Sequence, residues 1–121
     1  MSENRITFYG YDKCSTCRKA KATLKKQGIN FKDIDITTAP PTHQILATLL
    51  KNSGYKITDL FNKSGEQYRL LGMKDKIKIL SEAEMLTQLA GNGRLIKRPI
   101  VTDGKRSTVG FDENVFAKIW K

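Results

Sequence analysis

Two cysteines, Cys14 and Cys17, are the residues of this chain best suited to chemistry, because they form a CxxC motif. A short run rich in β-branched and aromatic residues, 5–9, precedes them, and small or apolar residues follow at helical spacing. A thiol at a helix N-terminus meets unpaired N–H groups and the positive end of the helix dipole, which lower its pKa below the free value of about 8.5. We therefore predict that Cys14 is the nucleophile and that Cys17 resolves the mixed disulfide.

Six basic residues around the motif support this prediction, because no acidic residue lies among them between positions 13 and 26. Their positive charges favour a thiolate. Salt screens exposed charges, so this effect extends only over about 8–10 Å. These residues are Lys13, Arg18, Lys19, Lys21, Lys25 and Lys26.

Two other interpretations of the cysteines stay open. Free cysteine is among the most buried residue types, so the pair could be ordinary core residues, although this does not explain the turn and the basic helix. A closed zinc site needs four ligands. The chain has only one histidine, His43, on a different predicted element, so zinc would require a second chain. We expect no metal and no bound cofactor, and we expect His43 to be a surface residue.

Length and composition predict one domain, residues 1–121, in the cytoplasm. No run approaches the 18 or so apolar residues of a membrane span, and the N-terminus has no signal-peptide pattern. In the cytoplasm a CxxC is more often catalytic or redox-sensing than structural. The net charge of +10 is compatible with anionic ligands, nucleic acid or an acidic partner protein.

The elements that must position the cysteines begin with a β-α-β unit. Its helix stops at Gly28, and residues 31–36 alternate apolar and polar as a half-buried strand does. A right-handed crossover makes the two strands parallel and puts Cys14 at the carboxyl end of the first strand, where open α/β sheets place their sites.

A helical block follows, over residues 42–92, with Thr42 and Ser81 as predicted helix N-caps. We expect its leucine, methionine and aromatic residues to be core. The chain then returns to strands at 100–102 and 107–109, which flank the hairpin signal Asp103-Gly104. A helix with the acidic N-cap Asp112 ends the pattern. The predicted fold is α/β, with a mixed four-stranded sheet and a helical insertion between the second and third strands.

Three motifs allow a closer comparison. They are the CxxC with its following residues (Cys-Ser-Thr-Cys-Arg-Lys-Ala), Lys97-Arg98-Pro99-Ile100-Val101 and Val109-Gly110-Phe111. The element order resembles the thioredoxin fold. Together with these motifs, the chain resembles the arsenate reductase (ArsC) family over nearly its whole length, and in particular the Spx/MgsR-like branch.

The resemblance implies roles for the second motif. In the family the proline matching Pro99 is cis and faces the active cysteine, and the arginine matching Arg98 holds an oxyanion or steadies the thiolate. Both properties are physically reasonable, because cis bonds are inexpensive only before proline and a guanidinium suits an oxyanion. A solvated charge at a strand entry is the other interpretation of Arg98. With Pro99, the residues around Cys14, namely Lys13, Ser15 and Thr16, are the predicted substrate-positioning residues.

The chain also departs from the arsenate-reducing members. Those enzymes use a single cysteine without the second one of the CxxC and carry two further arginines around the oxyanion. Here Asn62 stands where the first would fall, and neither Val109 nor Gly110 supplies the second. We therefore expect poor or no arsenate reduction.

Two functions follow from the residues and the resemblance together. The favoured one is a cytosolic thiol–disulfide reductase with catalytic Cys14, Cys17 and Arg98, reduced by glutathione, glutaredoxin or thioredoxin and acting on a thiol partner or a small disulfide. The alternative is a redox-sensing transcription regulator that binds the C-terminal domain of the RNA polymerase α-subunit. We expect a monomer, and no sequence-specific DNA binding, because the sequence has no base-contacting motif.

Overall fold

The computed structural model describes residues 6–120. Strand β1 (Thr7–Gly10) lies beside β2 (Lys32–Asp35) in parallel and beside β3 (Ile100–Thr102) in antiparallel orientation. Strand β4 (Ser107–Val109) pairs antiparallel with β3, so the described residues form one sheet of order β2-β1-β3-β4. This confirms the predicted thioredoxin-like α/β fold with a mixed four-stranded sheet. Residue Arg5 of the predicted first strand lies outside the described residues.

Helix α1 (Ser15–Lys26) starts directly at the first cysteine. Cys14 has extended backbone angles, φ −89° and ψ 117°, and its sulfur accepts a hydrogen bond from the Cys17 N–H, as an N-cap side chain does. The helix ends before Gly28, whose φ of 75° places it in the left-handed region. The inner face buries Cys17, Ala20 and Leu24, as the spacing predicted.

The helical block between β2 and β3 contains four α-helices and two 3₁₀ turns within the described residues. The predicted caps are confirmed, because the Thr42 hydroxyl accepts from the Ile45 N–H and Ser81 forms a capping box with Glu84. The elements are α2 (His43–Ser53), a 3₁₀ turn (Ile57–Leu60), α3 (Glu66–Leu70), α4 (Met73–Lys76), α5 (Glu82–Gly91) and a second 3₁₀ turn (Gly93–Leu95).

One residue of this block does not lie where the sequence predicted. Leu70 was expected in the core, but 67% of its surface is exposed. The five-residue helix α3 buries Tyr68 instead. Residues two positions apart in a helix point about 200° apart, because a turn takes 3.6 residues, so Leu70 faces away from the core that Tyr68 contacts.

The sheet has a separate core on each face, because side chains alternate along its strands. Phe8 and Val101 pack with α1 and α6 (Glu113–Ile119), whereas Tyr9 and Ile100 pack under the helical block. The α1 side is formed by Phe8, Cys17, Ala20, Leu24, Val101, Phe116 and Trp120. Cys17 is thus part of the smaller core.

The C-terminal β-β-α unit is confirmed. The strands have the predicted bounds, and Asp103-Gly104 lies in the connection 103–106 between them. Asp112 caps α6 by accepting from the N–H groups of Asn114 and Val115. Trp120 is fully buried and its Nε1–H donates to the Thr108 hydroxyl at 3.0 Å. None of the helices within residues 6–120 has the length and hydropathy that a membrane span requires.

Candidate active site

Cys14 lies at the end of a tight loop that leaves β1. Its N–H donates to the Tyr11 carbonyl at 3.0 Å, and its Sγ accepts from the Cys17 N–H at 3.3 Å. Cys14 is half-buried, so its sulfur remains accessible from one side. The local sequence therefore places a partly buried sulfur at the first turn of a helix, where unpaired backbone N–H groups point.

The pKa of Cys14 is lowered from its ordinary value. Burial acts against this by raising the pKa, but the hydrogen bonds from Cys17 and the nearby Arg98 guanidinium, as a donor and as a positive charge, outweigh burial. The result favours a thiolate at Cys14, the form of cysteine that attacks disulfides.

Cys17 has the opposite environment. It is 1% exposed, and burial together with the neighbouring Cys14 raises its pKa to about 12. A thiol in this state is protonated at neutral pH and is a poor nucleophile. The two sulfurs of the CxxC are therefore chemically distinct, although only two residues separate them.

Arg98 and Pro99 bring a second segment to the sulfurs. The Arg98–Pro99 peptide bond is cis, and the buried Pro99 accepts a hydrogen bond from the Gly110 N–H at 2.8 Å. The half-buried Arg98 lies over the Tyr11 ring, with 5.6 Å from Cζ to the ring centroid. This stacking holds the guanidinium beside the loop that ends at Cys14.

The structure thus brings Cys14, Cys17 and Arg98 together, with Pro99 next in the chain. Lys13, Ser15 and Thr16 have exposed side chains around the start of α1. Their positioning role, like the catalytic roles of the other predicted site residues, stays a prediction.

The basic residues of α1 contribute less than their number suggested. Lys21 forms ion pairs with Asp12 and Asp33, at 3.6 and 2.5 Å, and is therefore compensated. The groups that lower the pKa of Cys14 are instead the Cys17 N–H and the Arg98 guanidinium. His43 is exposed at the first residue of α2. Within residues 6–120, no three or more His, Cys, Asp or Glu side chains are grouped to hold a metal ion.

With this geometry established, comparison with known proteins identifies the family. A family model described as the ArsC family matches residues 9–119. The chain belongs to the ArsC family. The uncharacterized protein YusI of Bacillus subtilis is 46% identical over 115 residues, which cover 95% of this chain and 98% of YusI. The regulatory protein MgsR of the same organism is 28% identical over 98% of this chain and 93% of its own.

A solved structure agrees with this assignment. The crystal structure of a possible arsenate reductase from Streptococcus mutans has a TM-score of 0.82 and 43% sequence identity, and the match covers 88% of this chain and 90% of that one. The ArsC resemblance inferred from the CxxC, Arg98-Pro99 and Val109-Gly110-Phe111 motifs is confirmed.

Two residues near the ArsC-type site were not predicted from the sequence. Tyr11 supports Arg98 through its ring, and Arg94 lines the same cleft as Arg98. Arg94 belongs to the second 3₁₀ turn, next to a bridge between Phe61 and Ile96 that joins the middle of the helical block to its C-terminal end. The only sequence signal for Arg94 is that it lies four residues before Arg98. This spacing does not show that the two side chains share a cleft unless the conformation of the residues between them is known.

Proposed function

We propose that this ArsC-family protein is a thiol–disulfide redox protein in which Cys14 attacks a disulfide and Cys17 resolves the mixed disulfide. One observation carries the proposal: adjacent sulfurs have opposite pKa shifts, lowered at the helix N-cap and raised in the core. A redox dithiol needs this asymmetry, because one sulfur must attack while the other waits protonated.

The chemistry then takes two exchange steps. The Cys14 thiolate attacks one sulfur of the substrate disulfide, which forms a mixed disulfide and releases the first thiolate. Cys17 gives up its proton and attacks the Cys14 sulfur, which releases the second thiolate. Two electrons pass from the protein to the substrate, whose two thiolates take up protons. The protein ends with a Cys14–Cys17 disulfide, which an external thiol reductant returns to the dithiol.

The second step is helped by the first. The charge of Cys14 and its hydrogen bond are among the causes that raise the pKa of Cys17. Once Cys14 is in a mixed disulfide its negative charge is gone, so the Cys17 thiol becomes easier to deprotonate. The resolving cysteine is thereby activated only after the nucleophile has reacted.

Arg98 stabilises the Cys14 thiolate in this mechanism and is the principal anion ligand beside it. We expect arsenate to be a poor substrate or none, because the resemblance implies two further arginines, where this chain has Asn62 and, near the second position, Val109 and Gly110. We propose glutathione, glutaredoxin or thioredoxin as the electron donor, the cytoplasm as the location and the monomer as the working state.

The test is turnover of 2-hydroxyethyl disulfide with each donor. Wild type should reduce it, Cys14→Ser should be inactive, and Cys17→Ser should stop as a mixed disulfide visible by mass. Arg69→Ala, an exposed arginine on α3, serves as the matched control and should keep full activity. Oxidised wild type should lose two hydrogens and run as a monomer on a non-reducing gel. Absence of turnover with every donor, or full activity of Cys14→Ser, would overturn the proposal.

A redox-gated regulator is the second candidate. It is favoured by the similarity to a relative named a regulatory protein, MgsR, which covers 98% of this chain. In this case oxidation of Cys14 and Cys17 would set the affinity for the C-terminal domain of the RNA polymerase α-subunit. Binding of that domain that changes with the redox state, without disulfide turnover, would favour the regulator over the enzyme.

A further inference from the structure

A cleft of about 150 Å³ lies beside the thiol loop. It adjoins the candidate site at two points, because Arg98 lowers the pKa of Cys14 and the Tyr11 carbonyl accepts from the Cys14 N–H. Its polar side chains are Tyr11, Thr37, Asn62, Glu66, Gln67, Arg94 and Arg98. The cleft thus extends from Tyr11 and Arg98, which both contact the Cys14 residue, toward the helical block.

Within the described residues, two guanidinium groups line this cleft without a carboxylate partner. Among residues 6–120, no acidic side chain lies within ion-pair distance of Arg94 or Arg98. Arg98 is held by the Tyr11 ring, which lowers the entropy cost of binding an anion with it. Unpaired guanidiniums in a cleft are suited to bind a carboxylate through charge-assisted hydrogen bonds.

A chain of hydrogen bonds sets the orientation of the neighbouring Gln67 side-chain amide, so that it too offers a donor. The Arg94 backbone N–H can only donate, and it donates to Asn92 Oδ1 at 3.1 Å. Asn92 must then present its NH₂ group, which donates to Gln67 Oε1 at 3.1 Å. Gln67 is left with its own NH₂ group as a donor. Asn62 has no such constraint, because its partner at 3.4 Å is the Ser64 hydroxyl, which can donate or accept.

The charge balance of the cleft selects among anions. Glu66 lines the cleft together with Arg94 and Arg98, so the three side chains leave one net positive charge. A single carboxylate matches this charge, whereas a dianion such as arsenate does not. The Gln67 NH₂ group fits a carboxylate as well, because carboxylate oxygens only accept.

We propose that this cleft binds a carboxylate of the substrate, so that the preferred substrates are disulfides of small thiols that carry a carboxylate. The inference rests on the proposed thiol–disulfide function and adds Arg94 as the specificity-determining residue. The carboxylate binds Arg94, Arg98 and the Gln67 amide, and this contact holds one substrate sulfur near Cys14. Exchange then follows the two steps given above, with a dithiol as the external reductant.

The first experiment compares 3,3′-dithiodipropionate with the neutral 2-hydroxyethyl disulfide. For wild type, kcat/KM should favour the carboxylate substrate by about tenfold, the change that one charge-assisted contact gives. Arg94→Ala should remove this preference through a higher KM, with kcat unchanged, because the contact is the same in substrate and transition state. Arg94→Lys should retain part of it. Arg69→Ala, the matched control outside the cleft, should retain all of it and should react with the neutral disulfide as wild type does.

A second measurement does not depend on turnover. Octanedioate has the chain length of 3,3′-dithiodipropionate without its sulfurs, and it should slow alkylation of Cys14 in wild type but not in Arg94→Ala. If wild type reduces no disulfide, the proposed function fails, and protection by octanedioate still supports the cleft. If disulfides are reduced with no preference for carboxylates, no effect of Arg94→Ala and no protection, the carboxylate site is wrong and the thiol chemistry stands.

Discussion

The backbone N–H of Cys17 donates to the Sγ of Cys14 at 3.3 Å, and this contact makes the two thiols unlike each other. The hydrogen bond favours the charged form of Cys14, whereas the presence of Cys14 and burial favour the neutral form of Cys17. The Cys14 part of this difference arises from the helix start, because an N-cap side chain accepts from a backbone N–H three residues on, whereas burial is the largest cause of the raised pKa of Cys17.

Cys14 should react as a low-pKa thiol. In Cys17→Ser, the alkylation rate plotted against pH should have a midpoint below the free value of about 8.5. Arg98→Ala should move this midpoint upward, because it removes one of the groups that favour the thiolate. Lys19→Ala, which removes an exposed charge on α1, should leave it nearly unchanged. A midpoint at or above about 8.5 in Cys17→Ser would contradict the assigned role of Cys14.

Burial of Cys17 should make the reduced protein less stable in alkali. Its folded pKa is raised to about 12, so its stabilising contribution is complete below the unfolded pKa of about 8.5 and is lost as pH rises toward the folded value. The free energy of unfolding of wild type relative to Cys17→Ala should therefore be constant below pH 8. Above the unfolded pKa it should fall by up to about 1.4 kcal/mol per pH unit.

Urea unfolding of the two reduced proteins at several pH values measures this difference. For Cys14→Ala, the difference from wild type in the free energy of unfolding should change with pH in the opposite direction, because the pKa of Cys14 is lowered. The stabilisation from Cys14 is present above its ordinary pKa and is lost as pH falls through the folded value. Parallel curves for wild type and Cys17→Ala across this range would show that the Cys17 thiol is not held neutral.

Gly93 should tolerate no side chain. A Cβ there would lie 1.8 Å from the Ile36 carbonyl oxygen, so the second 3₁₀ turn would have to move away from the end of β2. We expect Gly93→Ala to cost at least about 1–3 kcal/mol, as for other overpacked sites. The matched change Gly91→Ala meets nothing within 4 Å and should stabilise α5 by about 0.5–1 kcal/mol. Thermal melts of both variants test this, and equal melting temperatures would be inconsistent with the contact.

Arsenate reduction should be negligible in wild type with glutathione or thioredoxin as donor. The physical reason is that too little positive charge is available to bind a tetrahedral dianion. Asn62 is neutral, and Gly110 has a left-handed φ of 78°, which disfavours any side chain at this position. Arg98→Ala should then act mainly on the pKa of Cys14. Efficient arsenate turnover with a loss of tenfold or more in Arg98→Ala would show that one or two guanidiniums suffice.

The sequence was sufficient for the fold, because its signals were local. Thr42, Ser81 and Asp112 cap helices through side-chain contacts within three residues, and the strands 100–102 and 107–109 flank a hairpin turn. Such signals depend on nearby residues alone. Which side chains of the short helix α3 are buried depends on the distant elements that pack against it. For that reason the predicted core position of Leu70 was wrong.

The site was predictable where it depends on the CxxC and on the motif around Arg98, and not where it depends on folding at long range. The amide orientation of Gln67 is set by Asn92, which lies 25 residues further along the chain. The stacking of Arg98 on Tyr11 also joins distant segments. Neither pair has a sequence pattern, because the structure of the block between them decides which residues meet.

The bridge between Phe61 and Ile96 has a consequence for how the chain tolerates changes of length. Its flanking bonds, from the Asn62 N–H to the Leu95 carbonyl and from the Lys97 N–H to the Leu60 carbonyl, are both 2.7 Å. A residue added or deleted in an exposed loop of the helical block leaves this pairing intact. One residue added between the bridge and Pro99 would instead lengthen the short segment that carries Arg98, and so would change the position of its guanidinium relative to Tyr11 and the Cys14 sulfur.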